Sequence, residues 1–156
     1  AAAELAGRTL EQVKALQIVF QNPDSALNRS HTVRHMISRT IAKLSNIGKR
    51  DREQRVQELT RAVRLSDRHL NARPNQLSGG LKQRVAIARA FVVKPAVLFA
   101  DEPTGNLDTE TGRSIVDLLF ELNQTSGTTL VVVTHDEKLA ARCSNILRLS
   151  EGRLLQ

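Results

Sequence analysis

Residues Leu77–Glu102 read LSGGLKQRVAIARAFVVKPAVLFADE. The stretch contains a helix start, a helix, a proline stop and an apolar strand closed by two carboxylates. Ser78 is placed to cap a helix running to about Val93, and Pro95 ends it. Gly79 and Gly80 let a ligand approach the backbone closely, and the following helix aims free N–H groups and its positive dipole end at that spot. A phosphate suits such a place. At residue frequencies of about one in ten to one in twenty, Leu-Ser-Gly-Gly arises by chance at about one position in 50,000, which favours a binding motif over an ordinary cap. The apolar run Ala96–Ala100 then forms a strand that ends in Asp101-Glu102.

Downstream, Thr109–Gln124 reads as a helix with Ile115, Leu118, Leu119 and Leu122 on one face. Thr129–Val133 is a β-branched strand, followed by Thr134-His135-Asp136 and a short helix over Asp136–Arg142. Ile146–Leu149 is a third strand, and Glu151-Gly152-Arg153 a turn into a last short one. Upstream, Leu16–Phe20 (LQIVF) is a buried-type strand ending at the polar segment Gln21-Asn22-Pro23-Asp24. Thr32–Leu44 and Asp51–Leu65 read as helices, with a stop at Asn46-Ile47-Gly48 between them and a break at Arg73-Pro74-Asn75 after them. Strands alternating with helices imply right-handed βαβ units and a parallel sheet, an α/β fold. A basic helical block, roughly Leu27–Asn75, lies between two α/β portions.

A carboxylate at the C-terminal end of a parallel strand lies at the edge where such sheets bind ligands. There Asp101 can hold Mg2+, commonly through water, and Glu102 can polarise a water that attacks a terminal phosphate. His135 emerges from a neighbouring strand at the same edge and can hydrogen-bond that phosphate or hold the water. Gln21, at the end of the first strand, can reach a metal or water and link it to the helical block. Asp108, in Gly105-Asn106-Leu107-Asp108, caps the next helix and can serve the site as well. His31, His35 and His69 read as structural residues of the helical block, and Cys143 as a small residue near a helix end.

A chain of 156 residues with 40% apolar and 25% charged residues has globular composition and the length of one domain. Its single cysteine excludes an internal disulfide and fits a reducing compartment. No apolar run approaches the ~20 residues that span a bilayer, and Ala1-Ala2-Ala3-Glu4 lacks the order of a signal peptide. The net charge of +7 is uneven, because Arg29–Arg73 carry twelve basic and four acidic residues while the rest is near neutral. Such a patch suits a solvated surface, anionic lipid, a partner's acidic loops or nucleic acid. The absence of Trp and Tyr weakens the single-stranded nucleic-acid option, which relies on stacking.

Taken in order, Gln21, Leu77-Ser78-Gly79-Gly80, Asp101-Glu102, Gly105–Asp108 and His135 resemble the Q-loop, signature, Walker B, D-loop and switch loop of ABC-transporter ATPases. The resemblance covers nearly the whole chain. It implies a partial P-loop NTPase fold, a parallel sheet flanked by helices with an inserted helical subdomain. The parts are residues 1–26 (core strand and Q-loop), 27–76 (helical subdomain) and 77–156 (signature helix and C-terminal core). The resemblance further implies ATP and Mg2+ as cofactors. Glu102 and His135 become the catalytic pair, Asp101 and Gln21 the metal contacts, and Gln21, Ser78, Gly79, Gly80 and Asp108 the nucleotide contacts. In that family, Ser78–Gly80 would face ATP held by a second nucleotide-binding domain. Transmembrane permease subunits would dock on the helical subdomain at the cytoplasmic face of the membrane, and no nucleic acid is expected.

Three departures stand out. The first is that no glycine-rich loop with its lysine precedes these motifs. Around Gly48-Lys49, the one Gly-Lys pair, Lys43 and Arg50 stand where such a loop needs Gly and Ser or Thr. Second, Leu81 occupies a position where the signature usually has Gln or Glu. Third, Val19–Val33 resembles oligopeptide and dipeptide importers, whereas Leu98–Asp108 and Thr128–Cys143 resemble lipoprotein-release and macrolide-export ATPases. A hybrid sequence or an unusual natural relative accounts for the mixture. Without the phosphate loop, the chain alone is expected to be inactive. Two other readings are an ABC-type ATPase acting on DNA and a non-catalytic binding fragment. The DNA enzymes commonly carry coiled coils or zinc modules between Q-loop and signature; here Gln21 and Leu77 are only 56 positions apart, with no metal-ligand cluster between them.

Overall fold

The computed structural model describes Gly7 and residues 9–155. Three parallel strands form the sheet: β1 (Leu16–Val19), β2 (Val97–Asp101) and β3 (Thr129–Val133), in the order β1-β2-β3. Leu16 pairs with Val97, and Asp101 with Val133, so Asp101 and the residues after Val133 reach the same edge. Before the sheet comes α1 (Leu10–Ala15), which the apolar periodicity did not reveal. It is held by a reciprocal cap: Thr9 N–H donates to Gln12 Oε1 at 2.9 Å, and Gln12 N–H to Thr9 Oγ1 at 3.3 Å.

The helical block comprises α2 (Val33–Leu44), α3 (Lys49–Ala62) and the short α4 (Asp67–Asn71). In α4 the N–H of Ser66 donates to His69 Nδ1 at 3.1 Å, so His69 is a capping residue. Burial, with Arg68 beside it, lowers the pKa of His69 and favours the neutral ring that this contact needs. The central element is α5 (Gly79–Ala90), capped by Ser78 and prolonged by a 3-10 turn over Phe91–Val93. It is buried nearly all round, through Gln83, Val85, Ala86, Ile87, Ala88 and Ala90. Its small and apolar residues sit in the core, while Lys82, Arg84 and Arg89 are only partly buried. One continuous apolar cluster joins Ile37 and Ile41 of α2, Val56 and Leu59 of α3, Val85 and Ile87 of α5, and Leu98 and Ala100 of β2. Arg84 fastens the same helix sideways, donating to Val63 O at 3.0 Å and to Ser114 Oγ at 2.7 Å. Ser114 belongs to α6 (Thr109–Ser126), which buries Ile115, Leu118 and Leu119 and stops at Gly127 with φ 66°.

After β3 come α7 (Glu137–Ala140), then β4 (Arg148–Ser150) and β5 (Arg153–Leu155). The strand expected at Ile146–Leu149 begins two residues later, ends one residue later and does not join the parallel sheet. It pairs antiparallel with β5. Glu151 and Gly152 both have positive φ, 51° and 76°, the backbone that closes a two-residue hairpin. The parallel sheet is covered on one face, where Val19, Leu98 and Ala100 are buried. On the other face Leu16, Ile18, Phe99, Val131 and Val133 are all exposed.

Replacing Ile87, fully buried in α5, by Ala should lower unfolding free energy by about 2–5 kcal/mol. Leu149→Ser, at a position 73% exposed, should stay within about 0.5 kcal/mol. Urea midpoints of the two variants check the contrast.

Candidate active site

Glu102 follows β2 directly with φ 44°, a left-handed conformation that costs a non-glycine residue energy and must be held by its surroundings. The hold is a backbone bond: Glu102 N–H donates to Val133 O at 2.9 Å. Val133 ends β3, and two residues later His135 returns the contact. Glu102 Oε1 accepts from His135 Nδ1 at 2.7 Å and from His135 N–H at 3.2 Å. The strand ends are thus tied by one backbone bond and two bonds to a carboxylate oxygen. The hydrogen bond to Glu102 raises the pKa of His135, with the carboxylate's charge adding to it. The ring is 84% exposed and the Glu102 side chain 22% exposed. Thr134 and Asp136 shape the loop around the ring, with Asp136 N–H donating to Thr134 Oγ1 at 3.0 Å and Asp136 Oδ1 accepting from Lys138 N–H at 2.8 Å.

Glu102, His135 and Asp108 line one cleft of about 550 Å3, together with Asp136, Arg113 and Lys138. Asp108 is the N-cap of α6, its Oδ1 accepting from Thr111 N–H at 2.9 Å. Hydrogen bonds from Thr111, the side chain's above all, hold its carboxyl below the usual aspartate range. Asp101, Gln21 and Ser78–Gly80 do not line this cleft. Strand alternation sends Asp101 to the open face with Phe99, while Glu102 goes to the cleft.

Gln21 and Gly79 abut the turn Pro103–Asp108 instead, and Gly80 abuts Thr111 just beyond it. A Cβ on Gly105 would come 2.5 Å from Gln21 Nε2. Asn106 Nδ2 donates to Gln21 O at 3.4 Å. A Cβ on Gly79 would meet Leu107 Cδ2 at 3.2 Å, and one on Gly80 would run into the Thr111 methyl group. Gly80 is therefore needed for packing inside this chain, whatever else it contacts, and Gly79 sits tightly against Leu107. Ser78 Oγ accepts from Leu81 N–H at 3.4 Å, which makes it a helix cap. Sequence reasoning missed Gln83, a buried α5 residue whose Nε2 donates to Phe20 O at 3.1 Å and fixes the segment carrying Gln21. A glutamine amid alanines and valines in a buried helix was the available signal. It also missed Lys82, whose Nζ lies 2.9 Å from Asp24 Oδ2 and joins α5 to the turn after β1. Cys143 is half-buried just after α7, as a small packing residue would be.

Among the described residues no group of three His, Cys, Asp or Glu is placed to hold a metal. Mg2+ takes one or two carboxylates and completes its shell with phosphate oxygens and water. Asp101, exposed at the strand end, has the chemistry of such a single ligand.

The family model for ABC transporters matches residues 4–105, and the chain belongs to that family. The ATP-binding protein LolD of the lipoprotein-releasing system of Syntrophus aciditrophicus is 50% identical over 114 residues, covering 73% of this chain and 51% of LolD. Uncharacterized ABC transporter ATP-binding protein YbbA of Escherichia coli K12 is 63% identical over 87 residues, 56% of this chain and 38% of YbbA. Among solved structures, the dimeric post-hydrolysis state of the ATP-binding cassette MJ0796 bound to ADP and Pi matches with a TM-score of 0.82 and 34% identity, covering 100% of this chain and 66% of that one. CbiO1 of Clostridium perfringens, part of the ABC transporter complex cbiONQ, matches with a TM-score of 0.84 and 30% identity over 94% of this chain and 58% of that one. The chain spans about half the length, or less, of these curated relatives.

His135 should titrate above the ordinary histidine value of 6.5, and Glu102→Gln should return it there, as followed by ring-proton NMR. Since its folded value is raised, the pairing adds stability fully below the ordinary value and loses it as pH rises through the folded one. Gly80→Ala should destabilise by about 1–3 kcal/mol through the Thr111 methyl, and adding Thr111→Ser should recover most of it in thermal melts.

Proposed function

We propose that this chain is the signature-bearing part of an ATP-binding subunit that powers an ABC transporter. The observation that carries the proposal is the Glu102–His135 contact at 2.7 Å at the C-terminal edge of the parallel sheet. Glu102, held by strained backbone and by His135, is the base that takes a proton from the attacking water. His135 presents its remaining ring nitrogen outward, where it steadies that water or the terminal phosphate. Asp101 and Gln21 would hold Mg2+, which when bound neutralises charge on the phosphate oxygens. Ser78, Gly79 and Gly80 contribute helix-start N–H groups to a nucleotide held by a second cassette, with Asp108 nearby on the same packed surface. The ADP- and Pi-bound dimer similar to this chain supports a two-cassette arrangement.

The glycine-rich loop that cradles the phosphates belongs, on this reading, to the half of the relatives' length that these residues do not match. The basic helical block faces permease subunits on the cytoplasmic side of a membrane. No helix among the described residues is long and apolar enough to cross one. The relative named for lipoprotein release supports a lipid-modified or similarly amphipathic cargo over a peptide.

The test has two arms. In a complete cassette containing these residues, Glu102→Gln should lower ATP turnover by about 100- to 10,000-fold while ATP binding persists. The 156-residue chain alone should show no micromolar Mg-ATP binding by isothermal titration. Turnover preserved in the variant would sink the assignment of the base, and tight binding by the lone chain would sink the division of the nucleotide site.

A further inference from the structure

A second concave site lies apart from the Glu102 cleft and shares no residue with it. This pocket of about 290 Å3 is formed by the loop after Ala26, by α2 and by Arg89 of α5. His31, His35, Arg39, Lys43 and Arg89 line it, and no carboxylate does. Among the described residues none of Arg39, Lys43 and Arg89 has an acidic partner within ion-pair distance. Arg89 is anchored by one guanidinium nitrogen donating to Ala26 O, while its Nε–H is buried without a partner. The rings of His31 and His35 stack with centroids 4.2 Å apart and planes 26° from parallel.

Three permanent cations around one cavity, one of them largely desolvated, cost free energy unless a counter-charge joins them. The donors are also of complementary kinds. Arginine forks meet oxyanions through paired hydrogen bonds, and lysine adds a point charge. The imidazoles, Asn28 and Thr40 supply further donors. A carboxylate offers one charge and two oxygens to this set. A phosphate offers up to two charges and more oxygens, and so satisfies more of it. The structure assigns this pocket, we infer, to a phosphate-type anion, either a free phosphate or the head group of an anionic phospholipid. The assignment stands independently of ATP turnover at Glu102.

Arg39 and Lys43 are exposed and unbonded, so Arg39→Gln/Lys43→Gln should fold normally. The charge-matched control is Arg50→Gln/Arg61→Gln, two exposed residues of α3 outside the pocket. In one arm, inorganic phosphate is titrated calorimetrically into the protein and both variants. In the other, the same proteins are sedimented with vesicles of phosphatidylcholine alone or with phosphatidylglycerol added. The expected result is saturable binding weakened about tenfold or more by the pocket pair and little by the control pair. Dependence seen with inorganic phosphate identifies the free ion, and dependence confined to phosphatidylglycerol vesicles identifies the head group. No saturable binding in either arm, or equal losses from both pairs, would overturn the assignment.

Discussion

The close approach of α5 to the segment Leu107–Thr111 is the constraint on which the remaining geometry rests. Gly79 and Gly80 let the helix start settle against Leu107 and Thr111. From there α5 runs through the core with alanine at positions 86, 88 and 90, narrow enough to be packed on every side. Its long side chains then act as struts. Gln83 reaches the backbone of Phe20, Lys82 reaches Asp24, and Arg84 reaches both Val63 and Ser114. One helix therefore sets the positions of the Gln21 segment, the helical block and α6. A shift of its N-terminus would move elements of both the acid edge and the basic block.

The acid edge follows a different logic, in which backbone strain is held by charge. Glu102 adopts φ 44° only because β3 lies beside it and accepts its N–H. The same carboxylate then collects two donors from His135. A carboxylate oxygen that accepts two hydrogen bonds from one residue is held in a fixed orientation. The histidine is largely exposed, so water screens the pair and its value lies more in geometry than in stability.

Much of this was legible in the sequence, for identifiable reasons. Continuous apolar runs such as Val97–Ala100 and Leu130–Val133 announce strands of a parallel sheet, and Pro95 marks an element end. Glu102 and His135, which the structure brings together, were both named from their places at strand ends, because local chemistry there is written in local residues. What stayed hidden depends on neighbours distant in sequence or on caps alone. Helix α1 has six residues and α4 five, too short for periodicity to register and held by their N-terminal boxes. The role of Gln83 needs Phe20 to be 63 positions away yet adjacent. The packing duty of Gly80 shows only when Thr111 is seen against it. The hairpin partner of Arg148–Ser150 was legible in Glu151-Gly152, but not the strand's separation from the main sheet.

The open face of the sheet joins these observations to the family. A parallel sheet is ordinarily covered on both faces, and its strands then read as unbroken apolar runs rather than as alternations. Val97–Ala100 and Leu130–Val133 read that way, and Leu16–Val19 does so but for Gln17, yet only one face is covered here. Leu16, Ile18, Phe99, Val131 and Val133 are thus chosen as for a core while standing exposed. Asp101 rises from the same open face, and Glu102 turns away from it into the cleft. An element packed on that face would lie directly beside Asp101, so the exposed apolar side chains and this carboxylate share one surface, while Glu102 belongs to another.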